Sequence, residues 1–537
     1  MDGRTASRLE TWAPLASGLL LALPVLVFRY PPMGDLPFHE AGVALLRHFG
    51  DPRYLPPGLY ARNLGEPNQL FHLAAYLVSL TCPTDWACKL VVAATLVAIA
   101  TGAARLCDHL DVTRWGAVVV APVSLGWMAR WGLVGNLVGL AALLWTLPIL
   151  DRAARHPTPM RCLGSIGAAV LLFLAHESAM LLYGVAGLIF TLRTPRTPQA
   201  IALALGPVAA TALLAAAYAV RSEGLKAPSI LAARAVSVPL LERLSGLPAT
   251  LFSVGRGSVG MLAGAVVAVV TLALVGARHE PDPRGPLARD RLSNAPYLAL
   301  GLVCLAAYFV VPEALFGSTL LHGRFLAPAF ALLVLASLPR SRTPFRAAAL
   351  VVALPVAMVA LTWHLFVTAD RTYRDLDRVL AQMDDGVAVA ALDLTPREPS
   401  VVAPVVGAGA RVLAVHGGRL LFSFTDAPTY PVTMPPERRW NEPVARMVET
   451  PFAFAPTYDF TRFRYLLAWS PAARIRAVLP RALAPEGRLV TEEGSWMLFE
   501  STLALDSVVA PEAAPPPAAV EALATRVRAL LALTQAR

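Results

Sequence analysis

Residues 68–82, NQLFHLAAYLVSLTC, decide how this chain passes through a membrane. The run is apolar, but its 15 residues fall short of the about 20 that a helix needs to cross a bilayer. Asn68, Gln69 and His72 place polar groups at its start. The segment is therefore either an unusually short span or an amphipathic helix that lies along the membrane surface.

The rest of the chain has the composition of a protein that crosses a membrane many times. Of its 537 residues, 56% are hydrophobic and 15% are charged, whereas soluble domains have about 25% charged residues. Long apolar stretches predict about eleven spans, at residues 12–29, 86–105, 113–128, 131–150, 162–176, 177–192, 199–220, 257–277, 294–311, 323–338 and 346–367. The net charge of +10 comes largely from arginines in short loops, so no nucleic-acid partner is expected.

The arginines also orient the chain, because cytoplasmic loops carry an excess of basic residues. Arg4 and Arg8 place the N-terminus in the cytoplasm. The later clusters fall on that same side only if residues 68–82 do not cross; they lie at 152–161, 193–196, 278–291 and 340–346. We therefore predict a surface helix at 68–82 and an extracytoplasmic C-terminus. The Ala-, Pro- and Arg-rich composition favours a bacterial inner membrane as the location.

Composition divides the chain into three regions. Residues 1–367 form an all-α transmembrane domain whose first outer loop covers 30–85. Residues 368–510 read as a small periplasmic α/β domain, and 511–537 as a Pro-rich linker with a terminal helix. Within the α/β region, YRDLDRVLAQM and PAARIRAVL predict helices, GVAVAALDL, RVLAVH, RLLFSF and RFRYLLAW predict strands, and GRLVTEEGSWMLFES predicts a hairpin.

The predicted topology gathers titratable side chains at the extracytoplasmic ends of the spans, and ionisable groups near a membrane tend to mark function. A carboxylate there can take a proton from an acceptor hydroxyl, and an arginine can grip a lipid phosphate through two hydrogen bonds. Asp35 and Arg324 fit these two roles. The other candidates are His39 and Glu40 for catalysis, His322 for the donor phosphate, and Glu66, His72, His176 and Glu177 for the substrate pocket.

Each candidate also has a structural explanation. Asp35 could cap a helix that starts near Pro37, His39 could pair with that acid, and Glu40 could complement the helix dipole. Arg324 could extend from the end of its span to the membrane surface. No strong metal-binding spacing is present, and a divalent cation such as Mg²⁺ or Mn²⁺ at Asp35 remains open.

Several stretches resemble the GT-C superfamily of membrane glycosyltransferases, which includes the protein mannosyltransferases and the aminoarabinose transferases. They are GDLPFHEA and EPNQLFHLAAYLVSL in the first loop, then WMARWGLVGNLVGLAALLW, LAHESAMLLYGVAGLIF and HGRFLAPAFALLVLA. Such enzymes move a sugar from a polyprenyl-phosphate carrier to an extracytoplasmic acceptor. The resemblance implies that Asp35 is the first-loop catalytic acid and that Arg324 binds the donor phosphate.

Three functions follow from these observations. The first is a glycosyltransferase that uses a polyprenyl-phosphate sugar donor and a glycan, lipid or protein acceptor. The second is a lipid or polysaccharide transporter or flippase, although such proteins usually carry charges in mid-membrane, where this chain has almost none. The third is a non-catalytic scaffold of a cell-envelope polysaccharide complex.

Overall fold

The computed structural model describes residues 3–222, 238–252, 294–313, 320–338, 345–394, 407–440, 450–505 and 521–535, together with Val444 and Met447. The predicted span at 257–277 and the Pro-rich stretch at 511–520 lie outside these ranges. The helices up to residue 380 are α1 (Gly3–Val27), α2 (Leu36–Arg47), α3 (Leu70–Ser79), α4 (Thr84–Leu110), α5 (Trp115–Val120), α6 (Trp127–Trp131), α7 (Val134–Arg155), α8 (Pro159–Ala175), α9 (Glu177–Phe190), α10 (Pro198–Ser222), α11 (Leu240–Phe252), α12 (Ala295–Val310), α13 (Leu326–Ser337) and α14 (Phe345–Leu380).

Five of these helices contain stretches that are long and apolar enough to cross a membrane. Within the described residues these stretches are Arg8–Val27, Thr84–Leu110, Val134–Arg155, Pro198–Arg221 and Val351–Leu380. Shorter apolar helices lie at Leu70–Ser79, Pro159–Ala175, Ala295–Val310 and His322–Ser337. The chain is therefore a mostly helical protein with several membrane-type helices, and most of the predicted spans coincide with one helix each.

The segment that decides the topology forms the short helix α3. Its ten residues give a length of about 15 Å, whereas the hydrocarbon core of a bilayer is about 30 Å thick. Phe71, His72 and Ala75 are buried on one side of the helix, whereas Leu77 is 64% exposed. A helix of this length is too short to cross a bilayer, and its position along a membrane surface stays a prediction.

The predicted span at 113–128 is wrong as a single helix. The chain there forms α5, then a 3₁₀ helix at Ala121–Leu125, and then α6. Pro122 cannot continue the α-helical hydrogen bonds, and Gly126 has a non-helical ψ of −143°. A Cβ on Gly126 would lie 1.9 Å from the carbonyl oxygen of Leu251, so the break also admits the end of α11.

Helix α14 continues without a break from the last apolar stretch into the charged segment that follows. Its 36 residues extend for about 54 Å, and the stretch after Pro355 contains no further proline or glycine. The boundary predicted between residues 367 and 368 therefore lies inside a helix. YRDLDRVLAQM, predicted as a separate helix, is largely the end of α14.

The described residues that follow α14, from residue 381 onward, are called the tail and are built around a five-stranded sheet. Across the sheet the strands lie in the order Arg419–Leu420, Ala388–Asp393, Tyr465–Trp469, Trp496–Ser501 and Gly487–Glu493. The tail's strands are β2 (Ala388–Asp393), β3 (Arg419–Leu420), β4 (Val432–Thr433), β5 (Tyr465–Trp469), β6 (Gly487–Glu493) and β7 (Trp496–Ser501). β2 runs parallel to β3 and β5, whereas β5, β7 and β6 pair antiparallel. The helices are α15 (Arg411–His416), α16 (Pro456–Asp459), α17 (Ala473–Leu483) and α18 (Leu523–Gln535).

Two strand predictions in this region fail. RVLAVH forms helix α15, and only Arg419–Leu420 of RLLFSF is strand. The six residues of RVLAVH are too few for their apolar pattern to separate helix from strand. Gly417 and Gly418 have positive φ angles and turn the chain sharply before β3.

The tail packs directly on the first loop. Strand β1 (Ala61–Arg62) of that loop pairs antiparallel with β4. The hydroxyl of Tyr430 donates a hydrogen bond to the carbonyl of Phe38, and that of Tyr60 donates to the carbonyl of Gly418 at 2.8 Å. The loop that leads to α2 is thus held between membrane helices and the tail.

Candidate functional site

The segment that carries Asp35 is fixed by its backbone. The N–H groups of Gly34 and Asp35 donate to the carbonyls of Arg130 and Trp131, each at 2.9 Å. Gly132, which follows α6, has a φ of +75°, and a Cβ there would lie 2.5 Å from the Asp35 nitrogen. Only glycine suits both the left-handed backbone and this close approach. The end of α6 therefore positions Asp35.

Asp35 occupies the N-cap position of α2, yet its side chain makes no capping hydrogen bond. Protein surrounds the carboxyl on nearly every side, although part of the residue remains accessible to solvent. Burial raises the pKa of Asp35 from 3.8 to about 7, against the opposing charge of Arg324. A carboxyl that titrates near neutral pH and has no cap to serve is suited to accept a proton from a substrate.

Arg324 lies in a 3₁₀ helix, His322–Phe325, immediately before α13. Its Nη1 atom is 3.4 Å from Nε2 of His176 and 3.9 Å from Oε1 of Glu177. The guanidinium side chain is 13% exposed, so it is held inside the protein and does not extend into solvent. The structure thus places this arginine beside the histidine and the acid at the junction of α8 and α9.

Two glycines on α7 leave room for His176. A Cβ on Gly139 would lie 2.9 Å from Cβ of His176, and one on Gly135 would lie 3.1 Å from its imidazole ring. The imidazole Nδ1 accepts a hydrogen bond from the backbone N–H of Ser178 at 3.1 Å and caps α9. His176 therefore caps the start of α9 and packs against the part of α7 where Gly135 and Gly139 have no side chains.

Asn68 supports the backbone of Glu177, the acid that lies beside Arg324. Asn68 adopts a left-handed backbone with φ +65°, and its Oδ1 accepts from the backbone N–H of Glu177 at 3.2 Å. Two residues earlier, Glu66 pairs with Arg221 at 3.2 Å. Within the described residues, the Oε2 atoms of both glutamates are buried without a hydrogen-bond partner. The region therefore offers hydrogen-bond acceptors that the protein itself does not occupy.

The two predicted histidines of the first loop contact each other. Nδ1 of His39 is 3.0 Å from Nε2 of His72, and burial lowers the pKa of both rings, that of His72 to about 4. Their rings pack edge-on against Phe424 and Tyr430 of the tail. The pair is neutral at pH 7 and forms a wall between the first loop and the tail.

Two other candidates serve different contacts. Oε2 of Glu40 is 3.0 Å from Nη1 of Arg411, and both side chains are 5% exposed. The ring of His322 packs at an angle of 44° against that of Tyr308, with 5.4 Å between the ring centroids. Among the described residues, neither Glu40 nor His322 forms a hydrogen bond or ion pair with Asp35. Their predicted roles in catalysis and phosphate binding stay predictions.

No group of three or more His, Cys, Asp or Glu side chains in the described ranges is arranged to hold a metal ion. A divalent cation at Asp35 therefore also stays a prediction.

Sequence reasoning missed four residues that support the candidate residues. Asn68 accepts a hydrogen bond from the backbone of Glu177, and Gly132 lets the chain pass close to Asp35. Arg221 pairs with Glu66, and Arg411 pairs with Glu40. Of these, only Asn68 carried a signal, as a polar residue at the start of an apolar run.

No protein-family model matches this chain, and no curated protein matches its sequence. Its fold, however, is similar to the crystal structure of ArnT from Cupriavidus metallidurans bound to undecaprenyl phosphate, with a TM-score of 0.52, 11% sequence identity, and coverage of 95% of this chain and 100% of that one. ArnT is an aminoarabinose transferase of the GT-C superfamily. The chain has a GT-C fold.

Two further structures match this chain with TM-scores below 0.5. One is ArnT from Cupriavidus metallidurans in the apo state, with a TM-score of 0.44, 13% identity, and coverage of 94% of this chain and 100% of that one. The other is the apo oligosaccharyltransferase of Archaeoglobus fulgidus, with a TM-score of 0.38, 10% identity, and coverage of 88% and 71%. The predicted resemblance to membrane glycosyltransferases is confirmed at the level of the fold by the undecaprenyl phosphate-bound ArnT structure.

Proposed function

We propose that this protein transfers a sugar from a polyprenyl-phosphate carrier to an acceptor at the membrane surface on the side of its tail. The observation that carries the proposal is the convergence of Asp35, Arg324 and the His176–Glu177 junction, which are far apart in sequence. The similar ArnT structure was solved with undecaprenyl phosphate, and a carrier of that class fits the same fold.

The chemistry divides between a general base, which takes up a proton, and a cation, which stabilises the leaving phosphate. The acceptor hydroxyl attacks the anomeric carbon of the sugar and forms the new glycosidic bond, while its proton passes to the Asp35 carboxylate. The bond from the anomeric carbon to the phosphate oxygen breaks, and the carrier phosphate leaves with the electron pair. Arg324, held by its neighbours, stabilises the negative charge on that phosphate. Asp35 is ionised often enough near pH 7 to act as the base.

The surroundings of the site support this division of roles. Glu66 and Glu177 each keep a buried carboxylate oxygen free for the hydroxyls of a sugar, within the described part of the chain. The His39–His72 pair packs between the first loop and the tail, against the rings of Phe424 and Tyr430. We further propose a multi-pass protein of a bacterial inner membrane, with the N-terminus in the cytoplasm and the tail outside.

The test is complementation of a deletion strain with wild-type protein, Asp35→Asn or Asp51→Asn. Asp51 is an exposed acid of the same loop and serves as the matched control. Mass spectrometry of lipid-linked sugars should show a polyprenyl-phosphate sugar that accumulates in the deletion and in Asp35→Asn, but not with the other two proteins. Transfer by Asp35→Asn at the wild-type rate would remove Asp35 from the reaction.

The same strains separate the other two functions. A scaffold predicts that Asp35→Asn behaves like wild type while the deletion loses an assembled polysaccharide. A flippase predicts that purified protein moves a labelled lipid between leaflets of a vesicle without any change in its sugar. Either result would replace the transferase proposal.

A further inference from the structure

A cavity of about 640 Å³ lies between the first loop and the tail. Its wall includes Arg29 after the end of α1, Glu40 and Arg47 on α2, Asp85 on α4, and Arg411 on α15. None of Asp35, His176, Glu177 and Arg324 lines it, so it is separate from the candidate transfer site. Because α1 and α4 contain membrane-crossing stretches, this cavity lies at the ends of the spans where the tail sits.

Three guanidinium groups line the cavity, and neighbouring carboxylates balance their positive charges to different extents. Arg411 is paired with Glu40 at 3.0 Å and with Asp377 at 3.1 Å, yet its buried Nε has no hydrogen-bond partner among the described residues. Arg29 lies 3.8 Å from Asp85 and 3.2 Å from Asp377. The carboxylates in and behind the wall are thus already engaged by arginines.

Arg47 differs from the other two. Within the described parts of the chain it forms no ion pair, and its Nη1 donates instead to the neutral carbonyl of Cys82 at 3.1 Å. Lys89, one turn after Asp85 on α4, does not line the cavity, and its Nζ lies 3.8 Å from the centroid of the Trp86 ring. The cavity therefore has an uncompensated positive charge at Arg47, and a guanidinium is well shaped to bind a phosphate.

An apolar surface continues outward from the same cavity. Leu80, which lines it, is 59% exposed, and Leu77 one turn earlier is 64% exposed. Trp86 and Leu90, at the start of α4, are also exposed. A polar, cationic cavity that opens beside apolar side chains at the end of a membrane helix matches the two halves of an amphiphile.

We propose that this cavity binds the phosphorylated headgroup of an anionic lipid from the surrounding leaflet, with the acyl chains along Leu77, Leu80, Trp86 and Leu90. Arg47 is the principal phosphate contact, and Arg29, which is half-exposed, completes the positive rim. This lipid site does not depend on the proposed sugar transfer, because no residue of the transfer site takes part in it.

Cys82 provides a reporter inside the cavity. It lines the wall, is partly exposed and is a free thiol, as is Cys162 outside the cavity. Purified full-length protein in detergent is treated with N-ethylmaleimide, and the labelling rate at each cysteine is followed by peptide mass spectrometry. Dioleoyl phosphatidylglycerol should slow labelling of Cys82 at least about fivefold and leave that of Cys162 unchanged, whereas dioleoyl phosphatidylcholine should protect neither.

The variants then assign the contact. Arg47→Gln should raise the phosphatidylglycerol concentration needed for protection about tenfold, since a charge-assisted hydrogen bond contributes about that factor. Arg53→Gln removes an exposed arginine of the same loop outside the cavity and should leave protection unchanged. Native mass spectrometry counts the lipid independently of thiol reactivity: one phosphatidylglycerol should remain on wild type and Arg53→Gln and be lost from Arg47→Gln.

Three results would overturn the proposal: equal protection by phosphatidylcholine, full protection of Arg47→Gln at the wild-type lipid concentration, or equal protection by inorganic phosphate at the same concentration. The last would identify a site for free phosphate rather than for a lipid. Asp35→Asn should keep the wild-type protection, so a failure of the sugar-transfer proposal and a failure of this one give different results.

Discussion

Replacement of Asp35 by asparagine should make the protein more stable at pH 8 while it abolishes transfer. The pKa of Asp35 rises from 3.8 in the unfolded chain to about 7 in the folded protein, chiefly through burial. Each pKa unit corresponds to about 1.4 kcal/mol, so the ionised carboxylate destabilises the fold by about 4 kcal/mol once the pH exceeds both values. Asparagine has a similar shape and carries no charge, so it removes this cost.

The direction of the pKa shift determines how the difference in stability between the variant and wild type changes with pH. Below pH 4 the carboxyl is protonated in both states and the variant gains nothing. Between pH 4 and pH 7 the unfolded chain releases the proton and the folded protein retains it, so wild type loses stability as the pH rises while the variant does not.

The measurement is the melting temperature of both proteins in detergent from pH 4 to pH 8. The difference in favour of Asp35→Asn should widen by several degrees over that range, and Asp51→Asn, at an exposed position, should show no such widening. An Asp35→Asn protein that melts at or below wild type at pH 8 would show that Asp35 is not a destabilised, catalytically poised acid.

Three further predictions follow from the site. Gly132→Ala should lower transfer at least about tenfold because its Cβ collides with the Asp35 nitrogen, whereas Gly58→Ala, with φ +76° and nothing within 4 Å, should keep the wild-type rate in the same assay. Arg411→Met should destabilise the protein by about 3–5 kcal/mol, because it leaves the buried Glu40 carboxylate unpaired. Adding Glu40→Leu removes that charge as well, so thermal unfolding of the double variant should show most of the lost stability recovered. Arg324→Gln should move the acidic limb of the pH–rate profile above pH 7, whereas Arg324→Lys should leave that limb in place, because the positive charge opposes the rise in the pKa of Asp35.

Hydrophobic run length was enough to locate most of the helices. The apolar runs near residues 86–105 and 199–220 became α4 and α10, since twenty or more apolar residues have few other stable arrangements near a bilayer. The run at 113–128 has the same composition, yet it breaks at Pro122 and Gly126 where α11 packs against it. The composition of residues 113–128 alone carries no information about α11, which packs against this break.

The site was partly predictable for a different reason. A first-loop acid and a late arginine could be proposed from their position at span ends, but not the contacts that the side chains of the candidate site make. Arg324 and His176 are 148 residues apart, and Arg411 and Glu40 are 371 apart. Such pairs depend on how helices and tail pack together, and no local pattern records that.

The two acids of GDLPFHE show how packing divides their roles. Asp35 and Glu40 are five residues apart around the start of one helix, and the sequence gives no reason to separate them. In the folded protein Glu40 has a buried arginine partner at 3.0 Å that comes from the tail, and it therefore serves to hold the tail to the first loop. Among the residues that the structure describes, Asp35 has no such partner and makes no capping bond, so its carboxyl remains available to take up a proton. Because two like residues acquire different roles from their surroundings, replacing each acid in turn is the decisive comparison. Glu40→Gln should weaken tail packing, seen as a lower melting temperature, and leave the pH dependence of transfer unchanged, whereas Asp35→Asn should abolish transfer and leave the tail packed.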